Sequence, residues 1–261
     1  MDICISNNTN AELFAIIFQH VKIFCEHVNV MFEDQQLFVQ CLDSTRVSIM
    51  EIRLPSGWFD TYEKKKEGAI TIGLNANMLY RILNARDKTQ NVHIQYTEED
   101  ADKLFIHFTS ENKKEFDKHF ELPLIELEMD TMDIPPIDFQ AELTLSSPHF
   151  ANIVSQMKMF GDTMEIQCSE DKIMLVSHSQ DQGKMFVEIK IDDVEGFAIE
   201  EGCSLELSYS LAYLHNICLY NKLSKAVELK FSSDYPMQIV YPLGENASVL
   251  FYLAPKINDE Q

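Results

Sequence analysis

Two acidic clusters, Glu98–Glu99–Asp100 and Asp192–Asp193, are the side chains whose spacing could hold a divalent cation. Neighbouring carboxylates suit a hard cation, and a cation so held can activate water or clamp a phosphate. Neither cluster has a histidine partner, and both fall in predicted turns, so they read as solvated surface. A nucleophile elbow, a P-loop, a Rossmann glycine pattern and an HExxH helix are absent from the sequence. The six cysteines, at 4, 25, 41, 168, 203 and 218, make no CxxC pair and show no Cys/His ligand spacing. Most lie in apolar strings such as Ile23–Cys25 and Ile217–Leu219, which predicts buried free thiols in a reducing compartment. No metal, cofactor or catalytic residue is assigned, and an enzyme is the disfavoured rival. Function has to be sought in surfaces that bind.

A chain of 261 residues, 46% hydrophobic and 24% charged, suits two domains, each able to bury its own core. With 21 Lys+Arg against 42 Asp+Glu the net charge is −21, a surface that as a whole repels nucleic acid and anionic membrane. The start, MDICISNN, lacks a basic n-region, and Glu12 interrupts the apolar run after it, so no signal peptide is read there. No apolar run approaches the ~18–20 residues of a membrane span. No membrane partner is expected.

The order of predicted elements repeats. In 11–24, Leu13, Phe14, Ile17, Phe18, Val21 and Phe24 share one helical face. Alternating strands HVNVMF, QQLFVQCL, RVSIMEIRL and AITIGL follow. A helix capped by Asn75 turns Met78, Leu79, Ile82 and Leu83 inward, and strands NVHIQYT, KLFIHFT and KHFELPLI complete the half. After residue 140 the order recurs. A Ser-capped helix over 146–160, with Pro148 in its first turn, buries Phe150, Ile153, Val154 and Met157. Strands TMEIQC, KIMLVSH and KMFVEIKI, a helix over 208–222, and strands AVELKF, MQIVYPL and SVLFYLA end the chain. This is an internal duplication. Its predicted fold is α+β, two topologically similar domains (1–124 and 141–261), each with two helices on antiparallel sheets. Residues 125–140 connect them. The acidic stretch FELPLIELEMDTMDIPPIDF (120–139) cannot be helical across Pro135–Pro136, and it offers Met129, Met132 and Ile134 to solvent. An exposed apolar strap reads as a docking site.

Charge separates the helices from the rest. The four helical stretches hold five basic residues, Lys22, Arg81, Arg86, Lys158 and Lys222, and one acid, Glu12. At the chain's average density about nine acids would fall in those 56 residues. An acid-poor face with few cations suits weak contact with a polyanion, because a tight grip through six to ten phosphates would be strongly salt-sensitive and slow to move. Topological enclosure can supply what affinity does not.

LDSTRVSIMEIRL (42–54), FDTY (59–62), the IPP of the strap (134–136) and YLAPKINDE (252–260) resemble the proliferating cell nuclear antigen family. The resemblance runs through nearly the whole chain in order. It implies a DNA-clamp fold and a ring-forming homotrimer whose helices surround double-stranded DNA without reading its sequence. The family has no catalytic activity, no cofactor and no metal. Its ring is opened by a clamp loader, and it tethers DNA polymerase, flap endonuclease and DNA ligase through PIP-box peptides. Those peptides insert one aliphatic and two aromatic anchors under the strap. Carried over by position, the pocket is Leu42, Arg46, Val47, Met132, Ile134, Pro135, Pro236, Tyr252, Leu253, Ala254, Pro255 and Ile257. Such separate apolar and proline segments, brought together, can bury aromatic anchors. Ordinary core packing is the competing reading for Val47 and Leu253.

Lys22 and Arg81 match the family's basic channel positions, and Arg86, Lys158 and Lys222 are added here from the charge pattern. Ala15, Asn84, Asn152, Ser155 and Leu219 stand where the family carries Lys or Arg, so a less cationic channel is expected. Arg46 replaces the usual His, Asp133 a common Gly, and Glu170 the lysine modified in the family, with Lys172 nearby. For subunit contacts, KHFELPL (118–124) and GKMFVEIKI (183–191) are the strands to pair edge to edge, through Phe120, Leu122, Met185, Phe186 and Glu188. The implied location is the nucleus, or a viral replication site. A subunit of a hetero-trimeric checkpoint-type clamp, or a clamp-like monomer, is the alternative.

Overall fold

Alternation of apolar and polar residues over five to eight positions builds most of this molecule, because each strand buries one face and leaves the other wet. The computed structural model describes residues 1–65, 67–111, 115–128 and 131–256. The first half runs β1 (Asp2–Ile5), α1 (Asn8–Phe24), β2 (His27–Phe32), β3 (Gln36–Leu42), β4 (Ser48–Pro55), β5 (Thr61–Glu63), β6 (Ile70–Asn75), α2 (Ala76–Leu83), β7 (Asn91–Gln95), β8 (Lys103–Thr109) and β9 (Lys118–Pro123). The second repeats it as β10 (Ala141–Ser146), α3 (Ser147–Met157), β11 (Thr163–Cys168), β12 (Ile173–Ser179), β13 (Gly183–Ile189), β14 (Gly196–Ile199), β15 (Leu205–Ser210), α4 (Leu211–Cys218), β16 (Ala226–Phe231), β17 (Met237–Gly244) and β18 (Ala247–Leu253).

Two compact units result. One holds Met1–Ser44, Met50–Met132 and Gly244–Ser248, and the other holds Thr45–Ile49, Asp133–Leu243 and the chain from Val249 on. In the first, strands lie in the orders β5-β1-β7-β8-β9 and β6-β2-β3-β4. In the second the orders are β14-β10-β16-β17-β18 and β15-β11-β12-β13, the same arrangement strand for strand. The duplication is therefore one of topology, not only of element order.

Each unit packs its two helices side by side, α1 with α2 and α3 with α4. Phe14, Ile17, Phe18 and Val21 of α1, Leu79, Ile82 and Leu83 of α2, and Phe150, Val154 and Met157 of α3 are buried as their spacing predicts. Met78 is not: it is 42% exposed, because α2 is only two turns long and its buried stripe is centred on Leu79 and Ile82. The helix expected over 208–222 begins at Leu211, since Ser208–Ser210 end β15 and pair with Thr163–Glu165. Five strands were not expected from the sequence. β10 and β15 run directly into a helix, β1 ends two residues before one, and β5 and β14 are too short to show a period. All six cysteines are free, and burial pushes the thiols of Cys168 and Cys218 up, to about 11 and about 12.

Candidate functional site

The connector after β9 is laid across one sheet of the first unit at three fixed points. Ile125 N–H donates to the carbonyl of Gly73 in β6 at 2.9 Å. The amide of Asn29 in β2 donates to Leu127 O at 3.3 Å. The carboxamide of Gln40 in β3 grips Met132 from both sides, accepting from its N–H at 2.7 Å and donating to its carbonyl at 2.9 Å. Gly73 and Asn29 are direct cross-strand partners, and the register that pairs Val30 with Val39, continued by one residue, sets Gln40 beside Asn29. The connector thus follows one transverse row of the sheet. Glycine is required at the first point, where a Cβ on residue 73 would lie 2.0 Å from the carbonyl oxygen of Ile125.

The row continues into β4. The second amide proton of Gln40 goes to Glu51 at 2.9 Å, and Arg53 closes on the other carboxylate oxygen at 2.7 and 3.1 Å. Glu51 is 1% exposed, so this chain of charge-assisted bonds runs from a buried carboxylate to the connector backbone. It leaves the Met132 side chain 50% exposed. Gln40 and Asn29 escaped the sequence reading because each sits at an ordinary outward position of an alternating strand.

The remaining pocket candidates divide by unit. Leu42 and Met132 belong to the first. Arg46, Val47, Ile134, Pro135, Pro236, Tyr252, Leu253, Ala254 and Pro255 belong to the second. Ile257 and Met129 lie outside the described residues. In the second unit the C-terminal string is tied down by backbone: Ala254 N–H donates to Val47 O at 3.1 Å and Lys256 N–H to Ser208 O at 2.7 Å. The Lys256 ammonium also reaches Thr163 Oγ1 at 2.6 Å. Gln238 donates to the Tyr252 hydroxyl at 2.9 Å. Leu253 is fully buried and Tyr252 nearly so, which makes them wall and core, whereas Pro135 is exposed and Ile134, Pro236, Ala254 and Pro255 are half-buried. Arg46 is exposed with φ 61, a left-handed turn position between β3 and β4.

On the helices, Glu12 is the one acid within the four described α-helices. Lys22 lies over the Tyr80 ring at 3.9 Å, a cation–π contact that ties α1 to α2. Arg81, Lys158 and Lys222 are exposed. Arg86 differs: its guanidinium donates to the carbonyls of Lys88 and Gln90 and to Asn8 Oδ1 at 2.8–3.1 Å, a structural tie that leaves it little reach outward.

β9 and β13 each stand at the end of their sheet order. Phe186 is 65% exposed, Glu188 is exposed, Met185 and Phe120 are half-buried, and Phe120 packs on Phe108. Leu122 faces inward and is 1% exposed, so it belongs to the core and not to an outer contact. The acidic clusters at 98–100 and 192–193 are exposed, the first in a turn and the second in a short 3-10 segment. Glu170 accepts from Gly202 N–H at 2.6 Å.

The FDTY string has a structural account. Asp60 accepts from the N–H groups of Ser6 and Asn7 at 2.6 and 3.3 Å, just before α1, and these bonds, with one from the Ser6 side chain, hold its carboxyl below the usual range. The Tyr62 hydroxyl reaches the carbonyls of Glu33 and Gln36, 2.9 and 2.7 Å away, and Phe59 is buried against Trp58.

Comparison with known proteins divides the chain where the units divide. Residues 6–132 match the family model for the proliferating cell nuclear antigen N-terminal domain, and 133–256 match that for its C-terminal domain. Among curated proteins the chain is similar to proliferating cell nuclear antigen 2 of Drosophila melanogaster, 27% identical over 223 residues, which are 85% of this chain and 86% of the relative. No helix among the described residues is long and apolar enough to cross a membrane. With both domain models matched in sequence, and the same topology built twice, the chain belongs to the proliferating cell nuclear antigen family of DNA sliding clamps.

Proposed function

We propose that three copies of this chain close into a ring around duplex DNA and carry replication and repair enzymes along it, with no reaction of their own. One observation carries the reading. One sheet of each half ends in a strand with alternate residues exposed, β9 or β13. An exposed edge on each half is what head-to-tail closure needs, since two such edges satisfy one another's backbone. Lys22, Arg81, Lys158 and Lys222 give the DNA-facing helices a weak positive bias, and Arg86 contributes least. DNA polymerase, the clamp loader, flap endonuclease and DNA ligase dock by PIP-box peptides on the strap around Met132, Ile134 and Pro135 and on the string 252–257. The work is done in the nucleus, or at a viral replication site.

Light scattering on the purified chain gives a mass near three times 30.2 kDa. A single-chain mass, or a trimer formed only with a second protein, supports the monomeric or checkpoint-type alternative. With its loader the protein raises polymerase processivity on a primed circular template, and failure to do so counts against the clamp reading. Ile134→Ser together with Pro255→Ser abolishes plug-peptide binding at unchanged mass; unaltered binding shows that the docking surface lies elsewhere.

A further inference from the structure

The sheet β5-β1-β7-β8-β9 buries Val92, Ile94, Leu104, Ile106, Phe108 and Leu122 on one face. Its other face carries a row of histidines that alternation alone would pass over as polar surface. His93 stands directly opposite His107, and His107 directly opposite His119, on three successive strands. The Nδ1 atoms of His107 and His119 are 2.8 Å apart, with the rings edge to face at 4.8 Å. Phe105 stacks on the His107 ring, and His93 is held by Thr109 through Nε2 at 3.0 Å.

We propose that His107 and His119 form a chelating pair for a divalent transition-metal ion of the zinc class. Two imidazole nitrogens that face each other can either share one proton or share one ion. Zinc holds such nitrogens at about 2.0–2.1 Å in a tetrahedral arrangement, which asks for a nitrogen–nitrogen spacing of roughly 3.3 Å. A small rotation of His119, exposed on the end strand β9, supplies the difference, while the stacked and half-buried His107 stays in place. Neutral nitrogen ligands select zinc, nickel or copper over magnesium and calcium, which want oxygen. Among the described residues no group of three or more His, Cys, Asp or Glu is arranged around one ion, so water completes the coordination. The nearby Glu121 is occupied by Lys103 at 2.7 Å. The pairing is invisible as a sequence motif because 13 and 11 residues separate the three histidines, spacings set by two hairpins and not by one helix or loop.

The test is a titration of the untagged, full-length protein with zinc chloride against a chromophoric chelator, in the presence of excess magnesium. One zinc per chain is expected, undisturbed by magnesium. His119→Gln, at an exposed position that leaves the fold intact by circular dichroism, weakens binding by at least the ~10-fold that loss of an outer-shell partner costs. His107→Gln does the same, and His178→Gln, in the second half, changes nothing. The inference concerns a single chain: Phe186→Asp, which removes the proposed ring contact, keeps the same stoichiometry. Absence of zinc binding in both assembly states, or equal binding by His119→Gln and the unaltered chain, overturns it.

Discussion

After β9 the chain folds back over the end of β6, and after β18 it folds back over the end of β15. Ile125 donates to Gly73 and Lys256 to Ser208, each acceptor two residues short of its strand's last position. The start of the strap and the LAPK tail are thus one structural piece in two copies. In the first half the piece is pressed flat, over a glycine that leaves no room for a Cβ, and then continues along a polar row to Gln40. In the second half a serine suffices, and the lysine side chain finishes the tie on Thr163. Equivalent backbone has been turned into a displayed surface in one half and a fastened end in the other. Two strands of the second half diverge in the same way, β18 being buried and β13, at the end of its sheet, exposed.

Breaking the comparison at β18 and β13 gives the largest contrast. Phe251→Ala, fully buried in β18, should cost ~3–5 kcal/mol in chemical denaturation. Phe186→Ala in β13 should stay within ~0.5 kcal/mol for the isolated chain while lowering trimer mass at low concentration. Equal costs would erase the distinction between the two strands. At the folded-back segments, Gly73→Ala should cost ~1–3 kcal/mol and speed amide exchange at Ile125, whereas Ser208→Ala should stay within ~0.5. Gln40→Ala falls between, releasing Met132 and leaving Glu51 one partner short.

The helix starts offer a finer contrast. Asn7 caps α1 by accepting from Thr9 and Asn10, while Ser146 makes no side-chain bond at α3, where Pro148 presets the first turn. Asn7→Ala should cost ~1 kcal/mol in thermal melts and Ser146→Ala only a few tenths. The smallest effect is one of pH. Asp60 is held below its ordinary value by hydrogen bonds from the Ser6 side chain, the Ser6 amide and the Asn7 amide. Its contribution is complete above the unfolded carboxylate value of about 3.9 and is lost as pH falls through the lower folded one. Asp60→Asn should therefore flatten the acid end of the stability curve and leave neutral pH little changed.

Much of this fold is legible in local pattern. HVNVMF, KLFIHFT, TMEIQC and AVELKF coincide with β2, β8, β11 and β16 residue for residue, because alternation over six or seven positions has one reading. Ser208–Ser210, read as the start of α4, belong to β15 because they pair with Thr163–Glu165 on the neighbouring strand. An exposed strap could be placed from its prolines and apolar residues, but what holds it could not. Asn29, Gln40 and Glu51 come together only through the register of neighbouring strands, as do His93, His107 and His119. Leu122 shows the converse error: position within a familiar string says nothing about which way a side chain points.

The strap's attachments also set where its length can vary. From Ile125 to Leu127 two residues, with a reach of about 7 Å, span one interstrand gap of ~4.8 Å. From Leu127 to Met132 five residues, with a reach of about 17 Å, cross the same gap. Two residues match the first gap closely, whereas five are more than the second gap requires. An inserted residue before Leu127 has to buckle away from the sheet. One inserted between Leu127 and Met132 lengthens the second span without unfastening anything.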